Sequence, residues 1–310
     1  MPYLSNLHLF CECIVRKYSD PGRATEDQKA DEFRRVFLKN FRLNLKTLGA
    51  VAASCGIKLD GMDEDKMPRN LRGYHEIYGN RRYIYFRKDD TLSGTMNTIL
   101  HEIREIMENV FVEMCPSYEP LRTSARHMAA NRFASAVLLP QKGFTVKVYE
   151  TGLDVIELAR LYSKSCSQVL LRIGEVLQGK LFFYGALYEP GTEEDNPWRV
   201  TYWTGTSNND DPDANVYGLD GFFPRKGREV LPGSLVDMTI KEKKPHIAER
   251  ITLLDEMDDE GLVAISNPLM IQDCPAKVVL VALMARNNDL LASQVERTAP
   301  LVVEGFHQHL

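Results

Sequence analysis

Asn97-Thr-Ile-Leu-His101-Glu102-Ile-Arg-Glu105-Ile-Met-Glu108 sits within a proline-free run, Ser93 to Met114, that reads as one long helix opened after Asp90-Thr-Leu-Ser-Gly. Its HExxE spacing puts His101 and Glu105 four residues apart, one turn from each other on the same helix face. Zinc proteases of the HExxH type use these two positions as metal ligands and the intervening glutamate as general base. A carboxylate at the second position still ligates zinc through oxygen, while adding a negative charge. On this reading His101 and Glu105 hold a metal and Glu102 activates water. The three glutamates Glu102, Glu105 and Glu108 also read, more simply, as a solvated acidic face.

Outward from this helix, Pro120 to Leu139 reads as a second helix that Pro140 stops. Upstream, Tyr74 to Phe86 reads as a hairpin with its turn at Tyr78-Gly79-Asn80-Arg81. Asp31 to Leu48 is rich in helix formers with apolar residues near the 3.6 period. Val51 to Gly56 closes a short helix at glycine, and Ile57-Lys-Leu59 follows as an edge strand. Together these make one α+β unit over residues 1–145.

The motifs flanking the HExxE helix resemble the ImmA/IrrE metallopeptidase family. Leu71-Arg-Gly-Tyr74, then Arg82-Tyr-Ile-Tyr-Phe86, is similar to its LRGY segment and the strand before its active-site helix. Thr98-Ile-Leu-His101-Glu102 is similar to its T-L-A-H-E helix start. Ala130-Asn131-Arg-Phe133-Ala134-Ser-Ala-Val-Leu138-Leu139-Pro140 is similar to its E-A-N-x-F-A-x-x-L-L-x-P helix. The resemblance implies a zincin-like metallopeptidase domain with Zn2+ or Mn2+ at its site. Two positions depart from the family: its second histidine is Glu105 here, and its third ligand, the glutamate before Ala-Asn, is Ala129. The substitutes on offer are His127, Glu119, Glu113 and Glu108, with His127 the best of them. His127 shares a helix with Ala129 but is two residues away, a rotation of about 200°. On that account it reaches the cleft only from a rotated or irregular helix.

Beyond this unit, residues 146–180 resemble a helix-turn-helix. Leu158-Ala159 fall on its first helix, Ser163-Lys-Ser165 in the turn, and Ser167 to Leu177 on the second. Its second helix would offer Ser165, Ser167, Gln168 and Arg172 to a DNA groove, although packing alone also accounts for such a pair. Residues 181–310 carry strand-like runs at Leu181–Leu187, Arg199–Trp203, Gly261–Ser266 and Lys277–Met284, and a final helix near Asn288. They read as an α/β domain with an antiparallel sheet. Order and length resemble the radiation-response regulators of the same family, which implies a GAF-like sensor domain here. Trp198, Tyr202 and Trp203 are candidates to line a ligand pocket, or to be core. His307 and His309 read as a frayed tail.

Composition bounds the function. The 310 residues are 44% hydrophobic and 26% charged, ordinary for a globular chain. A net charge of -5 means any nucleic-acid contact must come from a local patch. The longest apolar run, Val278 to Ala285, is far short of the roughly 20 residues that span a bilayer. The N-terminal stretch lacks the basic and apolar regions of a signal peptide. The six cysteines are scattered, with no CxxC pair, and read as reduced thiols in a cytoplasmic protein. Two functions follow from these readings. One is a regulatory metallopeptidase cutting a protein such as a helix-turn-helix repressor. The other is a catalytically degenerate regulator that binds protein or DNA and senses a small ligand.

Overall fold

The structure, a computed structural model, describes residues 5–39, 41, 43–68, 71–79, 81–191, 197–206, 225–251 and 261–303, without the side chains of 249–251. His307 and His309 lie outside the described residues. The chain forms two compact units, Met1–Gln141 and Lys142–Leu310. Both are mixed α and β.

The first unit opens with α1 (Asn6–Tyr18), which buries Leu7, Phe10, Cys11 and Ile14 at helical spacing. Helix α2 (Glu26–Phe33) starts at a Thr25–Gln28 capping box and widens into a π-helical turn over Arg34–Leu38. One continuous helix from Asp31 to Leu48 is therefore not formed. The chain breaks at Lys39, whose φ is 48°, and restarts where Asn44 and Thr47 cap α3 (Leu45–Ser54). Gly56, at φ 73°, turns the chain into β1 (Ile57–Met62). Strands β2 (Gly73–Tyr78) and β3 (Arg81–Arg87) form the expected hairpin, with Tyr78 opposite Arg81. The sheet order is β1-β3-β2, with β1 parallel to β3 at one edge.

Helix α4 (Leu92–Met114), capped by Thr91, carries the HExxE motif, and α5 (Thr123–Leu138) packs along it. Phe33 meets Phe133 edge to face, 5.5 Å between ring centres, joining α2 to α5. Below the motif lies a buried ion cluster. Arg104, 1% exposed, forks onto Glu26 (2.8 and 2.9 Å) and reaches Glu108 (3.0 Å). Lys29 binds the same Glu26 at 2.7 Å, and Glu108 also accepts from Tyr118 and from the Leu121 amide.

Gly73 sets how closely α4 approaches β2. A methyl group there would collide with the Thr98 side chain and sit 2.5 Å from the Tyr85 carbonyl oxygen. The β3 backbone oxygen cannot swing aside, so the β2–β3 pairing would have to shift, and Thr98 on α4 with it. Gly73→Ala is expected to cost about 1–3 kcal/mol, read as a lower midpoint in urea unfolding.

The second unit begins with α6 (Gln141–Glu150), followed by α7 (Val155–Tyr162) and α8 (Cys166–Leu177). Its sheet comprises β4 (Phe183–Pro190), β5 (Trp198–Gly205), β6 (His246–Ile251), β7 (Leu262–Ile271), β8 (Cys274–Met284) and β9 (Leu301–Val303). The order is β5-β4-β8-β7-β6-β9, antiparallel except for β9 beside β6. Helix α8 covers one face, where Gly185 gives room to Leu170. Helix α9 (Leu235–Glu242) covers the other, over Tyr184, Ala186, Ala264 and Leu280. The final helix is shorter than its pattern suggests: a kinked 3-10 segment, Ala285–Leu291, leads into α10 (Ala292–Thr298). Pro300 cannot continue it, and Leu301-Val-Val becomes a strand. Among the described residues no helix is long and apolar enough to cross a membrane.

Candidate metal centre

His101 and Glu105 project from the middle of α4, and His127 reaches them from the first turns of α5. One ligand atom from each lies within 4.8 Å of the others. His101 Nε2 is 3.4 Å from Glu105 Oε1 and 3.2 Å from His127 Nδ1, and His127 Nδ1 is 2.8 Å from that same oxygen. Helix α5 needs no irregularity to achieve this. His127 and Asn131 are four residues apart, on one face, and that face meets His101. The rotation relative to Ala129 is real, but Ala129 is buried and its methyl offers no ligand.

The surroundings orient each group. His101 Nδ1 lies 2.8 Å from Asn131 Oδ1, so its N–H donates to the carboxamide and the Nε2 lone pair faces the cluster. Arg126 places Nε 3.0 Å from Glu105 Oε2 and donates through its terminal nitrogen to the Glu105 carbonyl at 2.8 Å. Burial works to raise the Glu105 pKa. The close contact with His101 and the charges of Arg126 and His127 outweigh it, holding the carboxyl at about 2. The His101 ring is more basic than usual: burial lowers its proton affinity, and the adjacent Glu105 carboxylate and the charge of Glu102 more than restore it.

Glu102 stands apart from the trio. Its Oε2 is 2.6 Å from Nδ1 of His75, on β2. Alternation along the hairpin accounts for this: His75 pairs with Ile84, whose side chain is buried, so both point toward α4. The solvated acidic face is excluded, since Glu102, Glu105 and Glu108 are 7%, 8% and 0% exposed. Glu108 is consumed by the Arg104 cluster. Glu119 is exposed outside the trio, and Glu113 lies beside His8.

The donor chemistry fits a metal. Two imidazoles and one carboxylate are an established catalytic zinc set, and imidazole-rich sites suit zinc better than manganese. Bonds of roughly 2.0–2.1 Å to a tetrahedral ion put its ligands about 3.3 Å apart. The observed 2.8, 3.2 and 3.4 Å separations are near those edges. Glu105 Oε1 is buried without a directed hydrogen bond despite these close nitrogens.

The groove-reading residues fare differently. Ser165 and Gln168 cap each other at the start of α8, and Ser167 bonds Ser165. Arg172 is fully buried and paired with Glu175 at 2.9 Å. Helix α8 thus spends its face on the sheet, and Arg172 cannot enter a groove. Trp198, Tyr202 and Trp203 do not line one pocket: a bulge between Leu187 and Tyr188 lets Trp198 and Trp203 share the α9 face, and Tyr202 takes the other. All six cysteines are free. Sequence reading missed His75 and Arg126. The hairpin's alternation marks the first, and the i to i−1 adjacency to His127 hints at the second.

No model of a known protein family matches the sequence. No curated protein sequence matches it either. Among solved structures the chain is similar to a Mycobacterium tuberculosis transcriptional regulator, with a TM-score of 0.54 at 14% identity, over 96% of this chain and 87% of that one. At that identity the likeness is one of fold.

Proposed function

We propose that this chain is a regulatory metallopeptidase of the ImmA/IrrE type, with zinc held by His101, Glu105 and His127. The observation that carries this reading is the near-tetrahedral spacing of the three donor atoms. Relative to the family pattern, the carboxylate and one imidazole have traded helices: α4 supplies histidine and glutamate, and α5 supplies histidine. The composition of the set is unchanged. The zincin-like reading of the first unit draws support from the motif helix lying on a small sheet, and the GAF-like reading of the second from its antiparallel sheet with helices on both faces.

Zinc held by His101, Glu105 and His127 would act as a Lewis acid toward the scissile carbonyl and the attacking water. Glu102 is the general base. With His75 occupying Oε2, its Oε1 takes the water proton and hands it to the leaving amine. The substrate is a protein, a helix-turn-helix repressor by family resemblance, inside the cell. A role in transcription regulation fits the regulator-like neighbour, and a stress response is what the family resemblance adds.

A second reading, a degenerate regulator that acts by binding, draws on one observation: the base Glu102 is already paired. Elemental analysis and a cleavage assay on a panel of helix-turn-helix repressors separate the two. Zinc-loaded protein is expected to carry one ion per chain and cut a repressor. Glu102→Gln keeps the ion and loses about 10²–10⁴-fold in rate. Ion-free protein that binds a repressor intact would favour the second reading.

A further inference from the structure

Arg126 stands where one side chain can govern a carboxylate ligand. It precedes His127 on α5, so a single turn brings both a donor and a guanidinium to α4. The guanidinium straddles Glu105, with Nε 3.0 Å from Oε2 and a terminal nitrogen 2.8 Å from the backbone carbonyl of the same residue. Arg126 Nε makes no directed hydrogen bond, so the contact to Oε2 is ionic. The other carboxylate oxygen, Oε1, is the one that faces His101 and His127. An imidazole presents one lone pair in a fixed direction, whereas a carboxylate has two oxygens to choose between. Glutamate at the second ligand position therefore needs something to retire one of them.

We infer that Arg126 is the positioning residue that makes Glu105 a one-oxygen ligand, standing in for the imidazole of an HExxH site. This rests on the metal site proposed above. The guanidinium engages Oε2 and leaves Oε1 alone to bind. Its charge is tolerated beside a dication only because the Glu105 carboxylate lies between them. Arginine and glutamate at these two positions thus form a matched pair: either one without the other is worse than neither.

That pairing predicts a reversal of sign. In the natural sequence, Arg126→Gln releases Glu105 and weakens zinc binding by about 10–100-fold, the usual cost of losing a group that holds a ligand. In a Glu105→His background the guanidinium faces the ion with no intervening carboxylate. There, adding Arg126→Gln is expected to tighten zinc binding at least tenfold, and completes a three-histidine set of the kind that holds catalytic zinc. Zinc affinity of the full chain is measured by competition with a chromophoric chelator, and melting in chelator shows that each variant is folded. Where histidine is not accommodated at 105, Glu105→Gln with and without Arg126→Gln reads the same sign. Weakening in both backgrounds would overturn the pairing and leave Arg126 a structural residue. Natural protein that takes up no zinc would instead overturn the site itself.

Discussion

Arg104→Ala is expected to destabilise the protein by about 3–5 kcal/mol, because it leaves buried carboxylates without their cation. Glu108, fully buried, keeps Tyr118 and the Leu121 amide but loses its charged partner. Glu26 keeps only Lys29. Four charges that summed to zero become a net negative cluster under the HExxE turn. Arg104→Lys does not rescue it, since an ammonium cannot reproduce the fork onto both Glu26 oxygens. Denaturant unfolding in chelator measures the loss; a change below about 1 kcal/mol, the scale of an exposed ion pair, would mean the cluster is not dry.

The same cluster gives acid sensitivity with a definite sign. Burial pushes the Glu26 carboxyl up, but the charge and hydrogen bonds of Arg104, joined by Lys29, hold it below its ordinary 4.5. A depressed folded-state pKa contributes stability that is full above the unfolded value and is lost as pH falls through the folded one. Wild-type stability should therefore decline below about pH 4.5. The Arg104→Ala protein, already without this contribution, should show a shallower slope over that window.

The sequence was most legible where one period dominated. The hairpin, α4 and α5 each follow a single alternation or helical stripe, and their limits fall within a few residues of the reading. It misled where local capping overrode propensity. Asn44 and Thr47 start a new helix inside a run of good helix formers, and Pro300 turns an apolar helical pattern into an edge strand. Strand β6 went unread because His246-Ile-Ala-Glu-Arg-Ile251 alternates poorly. The site was half visible. Spacing pairs His101 with Glu105, but the third donor depends on which face of α5 meets α4, a property of two helices packed together. Helical wheels drawn from Ala129 pointed away from His127, whereas the contact is organised around the His127–Asn131 pair. Glu102, Glu105 and Glu108 look alike in sequence, and only the fold assigns them to His75, to His127 and to Arg104.

His127→Ala is expected to abolish stoichiometric zinc binding while leaving the metal-free fold intact. The imidazole is 59% exposed, so its removal falls among surface changes, within about ±0.5 kcal/mol. As a ligand it matters far more, because three donors fall to two. The loss of affinity should exceed the roughly 10–100-fold cost of losing a group that merely holds a ligand. Zinc at a hundredfold excess over its dissociation constant stabilises a folded protein by about 2.7 kcal/mol, so the wild type should melt several degrees higher with zinc than with chelator. The His127→Ala protein should melt at one temperature in both, and that temperature should equal the wild type's in chelator. Glu113→Gln and Glu119→Gln should keep the full zinc response, since neither side chain joins the trio. Zinc retained by His127→Ala but lost by either glutamine variant would move the third ligand to α4 or the α4–α5 connection. The tetrahedral spacing at His127 would then be a coincidence of packing. Arg104 and His127 thus test opposite properties of one pair of helices: the first holds α4 in place outside the proposed zinc site, and the second is a proposed zinc ligand that does not hold α5.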